Sequence, residues 1–461
     1  MQNYDVVVLG GGPGGYVAAI RAASSGFNTA LIEKDMLGGV CLNWGCIPTK
    51  SLLRNAEIIK LLNQSEMFGF ELGDLKIKYA KAHERSRKVS AKLVKGIEYL
   101  MKKNKITVFK DTGRLVDPTK IILDQSGQLL TTKYIIIATG ASPAKLSLLD
   151  YGMPGVIDSK KALQLESVPK SVSIVGAGAI GMEFATIFSS YGTKVSVIEV
   201  EESVLPHEDK DISDFIQKQY EDMGVQFFTE TNICSVKETD NLLCIELQRK
   251  GETSYIETEF ILSATGILPN TSNIGISACG VELDDRGYIV TEESMRTNQP
   301  NIYAIGDVTG KLTLAHVASA QALTAVEHIC TGKVNPICYQ NIPKCTYTEP
   351  EVASVGLTEQ VARERGFLAE SVVFPFSANG KAVSYGDDRG FAKLVYDKEH
   401  GQLLGVHMVG VHVTEMIWGI AGYLGMEMTI GEMKEIIHPH PSVSEVISEV
   451  AHLAYGEPIH I

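Results

Sequence analysis

Two cysteines, Cys41 and Cys46, lie five residues apart in the segment 39–50. In a regular helix the Cα atoms of residues i and i+5 are about 8–9 Å apart, whereas a disulfide tolerates at most about 7 Å. We therefore expect the backbone between the cysteines to be distorted or not yet helical, and Gly45 and Pro48 are residue types that allow this. The spacing predicts a redox-active disulfide, and the alternative is a pair of buried structural thiols.

A second group of chemically useful residues lies near the C-terminus. His438 and His440 each precede a proline, and Glu445 follows in the same segment. The prolines favour a rigid, non-helical turn, with the glutamate on the helix after it. A carboxylate that fixes the tautomer of a histidine makes it a general base. The segment has no third metal ligand at suitable spacing, so we predict no metal site; a purely structural turn remains the alternative.

The elements that must position these groups begin with a glycine pattern, GxGxxG, that occurs twice. Each copy follows a short apolar strand, opens a small-residue helix, and has an acidic residue 23 positions after its first glycine. Such glycines make the turn, admit a pyrophosphate and pack helix on strand, while the acid binds a ribose. The pattern is therefore an internal repeat of a dinucleotide-binding unit. Its residues are Gly10, Gly12, Gly15 and Glu33 in the first copy, and Gly176, Gly178, Gly181 and Glu199 in the second.

Two dinucleotide sites in one chain imply two nucleotides, and a bound flavin with a mobile nicotinamide is the simplest combination. Glu199 also indicates which nicotinamide binds, because a carboxylate there accepts from a 2′-hydroxyl and repels a 2′-phosphate. Glu201 and Glu202 follow, and no arginine occurs between positions 192 and 205. We therefore predict NAD rather than NADP.

Several strand ends could contact the cofactors. Apolar strands end at Thr139 and Gly140 and again at Gly266, although a plain strand–turn junction would look the same. Asp307 ends a third strand, where its carboxylate could hold a flavin ribitol hydroxyl. A helix then begins near Ala315, whose backbone could face the flavin ring.

Glu183 lies two residues after the last glycine of the second copy. A negative charge early in a helix is favoured by the helix dipole. The alternative is that Glu183 reaches the flavin edge and pairs with Lys50.

Length and composition limit the possible classes of protein. A chain of 461 residues is too long for one core, so we expect three or four domains. Its net charge of −13 disfavours nucleic acid as a partner, and no apolar run reaches the roughly 18–20 residues of a membrane span. The first strand is predicted to begin almost at the N-terminus, so we expect no cleavable signal. Eight cysteines do not form a disulfide scaffold here, so we expect a cytoplasmic protein.

The segments 39–50 and 438–445 resemble the pyridine nucleotide–disulfide oxidoreductases, and the resemblance extends over essentially the whole chain. It implies an α/β fold with two Rossmann-like dinucleotide-binding domains, for FAD and NAD, and a C-terminal α+β dimerisation domain. It also implies a homodimer. The expected domains are FAD-binding (1–147), NAD-binding (148–270), central, returning to the FAD sheet (271–342), and interface (343–461).

Within the family, the two motifs look most like those of members that oxidise protein-bound dihydrolipoyl groups with NAD⁺. The resemblance implies that the active site uses His440 and Glu445 of the opposite subunit, and that His440 deprotonates a substrate thiol. It implies that Cys41 is the interchange thiol and that Cys46 faces the flavin. Lys50 would then lie near flavin N5, paired with the carboxylate of Glu183.

The resemblance implies further details. The His440–Pro441 bond should be cis, and Lys34, Gly113 and Ile233 should belong to the cofactor contacts. The arginine that often follows the second Ala-Thr-Gly ending is Ile267 here, which puts one nicotinamide contact in doubt. We expect no lipoyl domain before the fold, and we therefore expect the lipoyl groups on partner proteins of 2-oxo-acid dehydrogenase or glycine cleavage complexes.

Other functions remain as alternatives. Glutathione-type reductases have a similar fold but prefer NADPH. The arginine pair that they carry after the second strand of the NADPH unit is missing here. Mercuric reductases need a C-terminal cysteine pair, whereas the last cysteine is Cys345, and NADH oxidases lack the paired cysteines. A non-catalytic protein that uses the fold only for interaction is disfavoured, because both fingerprints, the cysteines and the His–Glu pair are intact.

Overall fold

The structure is a computed structural model that describes residues 2–461. The first part of the chain builds a sheet flanked by helices. Its elements are β1 (Gln2–Leu9), α1 (Pro13–Ser24), β2 (Thr29–Ile32), α2 (Gly39–Trp44), α3 (Cys46–Asn63), α4 (Tyr79–Lys103), β3 (Thr107–Phe109), β4 (Gly113–Asp117), β5 (Lys120–Leu123), β6 (Leu129–Ile137) and β7 (Ala141–Pro143).

The first sheet has the strand order β3-β2-β1-β6-β5-β4. Strands β3, β2, β1 and β6 are parallel, and β5 and β4 continue the sheet as an antiparallel pair. The continuous apolar run of β1 fits this central place, since Val6, Val7 and Val8 are all fully buried.

Helix α1 begins earlier than the sequence pattern indicated. The sequence predicted a small-residue helix opened by the glycine pattern, and this helix already starts within the pattern, at Pro13, directly after the extended residue Gly12. Proline is well suited to the first helical position because its missing N–H has no helical partner there. The fingerprint glycine Gly15 therefore lies inside the first turn.

The second part of the chain forms a parallel sheet with the order β11-β10-β9-β15-β8. A separate antiparallel sheet of three strands, β12-β13-β14, was not predicted from the sequence. The elements are β8 (Val156–Asp158), α5 (Ser159–Ala162), β9 (Ser171–Val175), α6 (Ala179–Ser190), β10 (Lys194–Ile198), α7 (Lys210–Asp222), β11 (Gln226–Phe228), β12 (Thr231–Thr239), β13 (Leu242–Arg249), β14 (Glu252–Thr258), β15 (Phe260–Ser263) and β16 (Ile267–Pro269).

Two short ladders connect these parts. Strand β16 pairs antiparallel with β7, so the chain leaving the second sheet runs beside the chain that entered it. The next strand, β17 (Ile302–Ala304), is parallel to β6 and returns the chain to the first sheet. Helix α8 (Ala315–Thr331) then packs against α1. The return to the first sheet agrees with the sequence prediction, while the domain boundaries at 147, 270 and 342 stay predictions.

The C-terminal part is an antiparallel sheet with the order β18-β19-β22-β21-β20, covered by helices. Its elements are β18 (Lys344–Thr346), β19 (Glu351–Gly356), α9 (Glu359–Glu364), β20 (Ala369–Pro375), α10 (Gly380–Tyr385), β21 (Phe391–Asp397), β22 (Leu403–Gly410), α11 (Val413–Gly425), α12 (Ile430–Lys434) and α13 (Glu445–Tyr455). Across residues 2–461, no helix combines the length and apolar character needed to span a membrane.

Candidate active site

The backbone between the two cysteines is broken at Gly45. Helix α2 ends at Trp44, Gly45 has φ −148° and ψ −113°, and α3 begins at Cys46. This interruption confirms the expected distortion. The buried amide of Asn43 stabilises the start of α2, on the other side from the break, by donating to the carbonyl oxygens of Leu37 at 3.1 Å and Gly39 at 2.9 Å.

Cys41 and Cys46 are present as free thiols. A hydrogen bond to Cys46, together with burial, raises the pKa of Cys41 far above its usual range. The same hydrogen bond and the nearby positive charge of Lys50 outweigh burial at Cys46 and lower its pKa to about 7. The pair is therefore asymmetric, and Cys46 is the thiol that ionises first.

Lys50 and Glu183 join α3 to α6. The Lys50 Nζ lies 2.8 Å from Oε1 and 2.9 Å from Oε2 of Glu183, whose side chain is only 7% exposed. Their pairing agrees with one of the two sequence interpretations of Glu183. Tyr347, which sequence reasoning missed, donates its main-chain N–H to Glu183 Oε1 at 3.1 Å. Its ring centroid lies 4.4 Å from the Lys50 Nζ.

The two glycine fingerprints have nearly the same geometry. Gly10 and Gly176 both have φ +101°, in the region where only glycine is unstrained. A Cβ on Gly15 would lie 1.8 Å from the Gly10 oxygen, and one on Gly181 would lie 2.0 Å from the Gly176 oxygen. These contacts explain the glycines, since any side chain would separate the helix from its strand.

The space above each fingerprint is open. Gly12 and Gly178 precede α1 and α6, and neither helix has a side chain that caps its first N–H groups. A Cβ on Gly178 would meet no atom within 4 Å, and one on Gly12 only Gly39 Cα at 4.0 Å. Uncapped N–H groups beside open space are suited to a pyrophosphate.

The acidic residue of each fingerprint has equivalent partners. Glu33 Oε2 accepts from the Gly11 N–H at 2.7 Å, and Glu199 Oε2 accepts from the Ala177 N–H at 2.6 Å. Each carboxylate is thus held at the end of its strand, beside the glycine turn. The residues present fit two dinucleotides, one at each fingerprint.

Four of the other predicted cofactor residues follow the ends of parallel strands, and the remaining four lie elsewhere in the chain. Thr139 and Gly140 follow β6, Gly266 follows β15, and Asp307 follows β17, where burial raises the pKa of its carboxyl. These positions are at the carboxyl ends of parallel strands, where ligands bind in open α/β sheets. Of the remaining four, Ala315 is the first residue of α8, and Gly113 begins β4 in contact with Leu9. Lys34 is exposed and follows Glu33 in the chain. Ile233 is buried against Val175 and Ile198.

His440 and Glu445 form a hydrogen-bonded pair. His440 Nδ1 lies 2.8 Å from Glu445 Oε1, and the Ser442 N–H donates to Oε2 at 2.8 Å. Burial alone would raise the pKa of Glu445, but these hydrogen bonds outweigh it and hold the pKa below its usual range. The predicted cis bond between His440 and Pro441 is present. The His440 side chain is 80% exposed, so most of its surface is free for another molecule.

Comparison with known proteins agrees with this arrangement. Residues 4–322 match the family described as pyridine nucleotide-disulphide oxidoreductase, and residues 342–451 match the dimerisation domain of that family. The chain belongs to the pyridine nucleotide–disulfide oxidoreductase family. It is accordingly a flavin disulfide oxidoreductase, and its cofactors are FAD and NAD.

Relatives of this oxidoreductase match over the full length. It is 41% identical to a dihydrolipoyl dehydrogenase of Bacillus subtilis, with 99% of each chain covered. It is 42% identical to the protein of the same name from Corynebacterium glutamicum, covering 100% of this chain and 99% of the relative.

Solved structures in the family have the same fold. The flavoprotein disulfide reductase RclA from Escherichia coli is 26% identical, with a TM-score of 0.89 over 98% of this chain and 100% of RclA. LpdA from Mycobacterium tuberculosis is 28% identical, with a TM-score of 0.89 over 98% of this chain and 99% of LpdA.

Among residues 2–461 of the oxidoreductase, no three His, Cys, Asp or Glu side chains are grouped so that they could hold a metal ion.

Proposed function

We propose that this protein oxidises dihydrolipoyl groups on partner proteins to lipoyl groups and reduces NAD⁺ to NADH. The observation that supports this most directly is the thiol pair of Cys41 and Cys46, with one thiol of low pKa beside Lys50. The full-length relatives named dihydrolipoyl dehydrogenase favour this substrate.

The difference in pKa between the cysteines supports their division of work. In the oxidised enzyme, a substrate thiolate attacks Cys41 and breaks the disulfide, which forms a mixed disulfide and releases Cys46 as a thiolate. A low pKa makes Cys46 a good leaving group. The second substrate thiol then attacks the sulfur of its own molecule in the mixed disulfide, which closes the lipoyl ring and releases Cys41. One dithiol is oxidised and one disulfide is reduced.

His440 is proposed as the base that removes the substrate protons. Its Nδ1 is held by the ionised Glu445, which leaves Nε2 to accept a proton. We propose that it acts on the thiol pair of a second copy in a homodimer, and its exposed side chain supports this.

The glycine fingerprints are proposed to hold FAD at Gly10–Gly15 and NAD at Gly176–Gly181. When bound, FAD takes the electron pair from the dithiol and NAD⁺ accepts it as hydride. Lys50 on α3 and Glu183 on α6 join the FAD fingerprint region to the NAD fingerprint region. We propose that this pair orients the reacting edge of the flavin. The four-domain division remains part of this proposal, as do the cytoplasmic location and partners from 2-oxo-acid dehydrogenase or glycine cleavage complexes.

The test is to mix the purified protein with dihydrolipoamide and NAD⁺ and to follow NADH by absorbance. We expect rapid NADH formation with NAD⁺, little with NADP⁺, and none when glutathione replaces dihydrolipoamide. Changing Cys41 or Cys46 to serine should abolish turnover, whereas Cys234→Ser, at an exposed cysteine, should leave it unchanged. A yellow protein that does not oxidise dihydrolipoamide but reduces another disulfide would refute the proposed substrate. It would still agree with disulfide exchange at the cysteine pair.

A further inference from the structure

Tyr347 contacts both members of the ion pair that connects α3 to α6. Its ring lies under the Lys50 ammonium at 4.4 Å, and its N–H donates to Glu183 Oε1 at 3.1 Å. Tyr347 follows β18 in the C-terminal part of the chain, so three separate parts of the fold meet at this point. Neither the cysteine motif nor the fingerprints include it.

The backbone around Tyr347 is fixed by its neighbours. The Glu349 N–H donates to the hydroxyl of Tyr220 on α7 at 3.1 Å. The Glu349 carboxylate accepts from Lys60, at the far end of α3, and from Arg389 at 2.6 Å. The ring is therefore presented to Lys50 from a segment that is anchored on both the first and the second part of the chain.

We propose that Tyr347 is a positioning residue, which holds the Lys50–Glu183 pair so that the ammonium stays beside Cys46. The inference rests on the proposed function, in which the Cys46 thiolate is the leaving group. It adds a residue from the C-terminal part of the chain to the machinery of the thiol pair.

The physical reason is the flexibility of lysine. A lysine side chain has four rotatable bonds and a compact ammonium group, and two of the three ammonium protons of Lys50 are used by the Glu183 oxygens. The negative face of an aromatic ring attracts such a cation and restricts its direction. Because Lys50 is four residues after Cys46 on α3, both side chains lie on one face of the helix. Loss of the ring would let the positive charge move away from the thiolate.

The experiment measures the ionisation of Cys46 rather than turnover. The full-length protein with its cofactor is reduced with a phosphine and treated with iodoacetamide across a pH range, and Cys46 alkylation is followed by peptide mass spectrometry. Since only the thiolate reacts, the profile reports the Cys46 pKa. We expect Tyr347→Leu to slow alkylation near pH 7 about fivefold, the scale of one cation–π contact. Tyr347→Phe, which keeps the ring and the N–H, should restore the wild-type profile.

Two further variants make the result decisive. Tyr347→Met fills more of the space without an aromatic face and replaces the leucine variant if that one fails to fold. Tyr385→Leu is the matched control, because Lys381 lies 4.5 Å from the Tyr385 ring and neither residue contacts Glu183. An unchanged Cys46 profile in Tyr347→Leu or Tyr347→Met would overturn the inference. Failure to oxidise dihydrolipoamide would refute the proposed substrate and would leave the alkylation result standing.

Discussion

Replacing Glu199 by glutamine tests how this enzyme selects its nicotinamide. The Glu199 carboxylate accepts three main-chain hydrogen bonds: Oε2 from Ala177 at 2.6 Å, and Oε1 from Val200 at 2.8 Å and Glu201 at 3.0 Å. A glutamine has one oxygen and one NH₂ group in these places. In either orientation, the NH₂ group faces at least one N–H donor, so the strand end loses an acceptor as well as its negative charge.

The expected magnitude follows from the contact that the ribose would lose. Hydrogen bonds to charged groups are worth about 1.5–3 kcal/mol, and each 1.4 kcal/mol is about tenfold in affinity. We therefore expect Glu199→Gln to raise the KM for NAD⁺ about 10- to 100-fold. The kcat should change little, because the ribose is remote from the reacting atoms. Removal of the negative charge should also move the ratio of kcat/KM values towards NADP⁺.

The assay is steady-state oxidation of dihydrolipoamide with varied NAD⁺ or NADP⁺. Glu201→Gln is the matched control, because it removes the same charge two residues later from an exposed side chain. If the control behaves like Glu199→Gln, general electrostatics explain the preference. A KM for NAD⁺ within twofold of wild type in Glu199→Gln would refute the assignment of this carboxylate to the ribose.

Three further predictions concern the base, the thiol pair and the ion pairs between β21 and the start of α7. His440→Gln should lower turnover by about 10²- to 10⁴-fold and leave the protein folded and yellow, whereas His460→Gln, in a second His–Glu pair with the same 2.8 Å separation, should not. Cys46 alkylation in the reduced protein should be half-maximal near pH 7 and be lost as the pH falls, because a lowered pKa keeps the thiolate populated only above about 7. Lys393→Met removes a buried lysine that lies 3.0 and 2.7 Å from two aspartates, and it should lower the free energy of unfolding in urea by about 3 kcal/mol. Lys210→Met, at an exposed pair, should cost under about 1 kcal/mol.

Each of these predictions has a result that would contradict it. Full turnover in the His440 variant would remove the base assignment, and equal losses at both histidines would indicate a general effect on the C-terminal helix. A Cys46 profile centred near the pKa of an ordinary thiol would mean that Lys50 and Cys41 do not stabilise the thiolate. Equal urea midpoints for the two lysine variants would show that the buried pair contributes no more than a surface pair.

The parts of the site that depend on local sequence were predictable. Gly176 needs a positive φ, and Gly181 lies too close to the Gly176 oxygen for any side chain. Their spacing, together with the strand before them and the acid at the next strand end, therefore identifies the turn. The break between the cysteines could also be inferred, because helix geometry forbids their approach. The family resemblance added the pairing of Lys50 with Glu183 and the His440–Pro441 cis bond, which no local pattern specifies.

The parts that were missed depend on packing between distant segments. Tyr347 is separated from Lys50 by about 300 residues, and nothing around it in the sequence distinguishes it from other strand-end aromatics. The sheet β12-β13-β14 did have a signal, since Leu243, Ile245 and Leu247 alternate and are all buried. Its outer strand β14 is polar and mostly exposed, so it lacks the apolar alternation of a half-buried strand. The early start of α1 was missed because glycines lower helix propensity. Here the glycine Gly15 is in the first turn because it lets the helix pack closely on the Gly10 oxygen.

The pairing of β7 with β16 has a consequence for how this enzyme could change over evolution. The chain enters the second sheet beside Ala141–Pro143 and leaves it beside Ile267–Pro269, and these two strands are hydrogen-bonded to each other. Everything between them is therefore an insertion whose two ends are already joined. Such a module can be exchanged for another of different nucleotide preference without re-threading the first sheet. The electron acceptor could therefore change without the thiol pair, provided that the new module keeps the Glu183 carboxylate that pairs with Lys50.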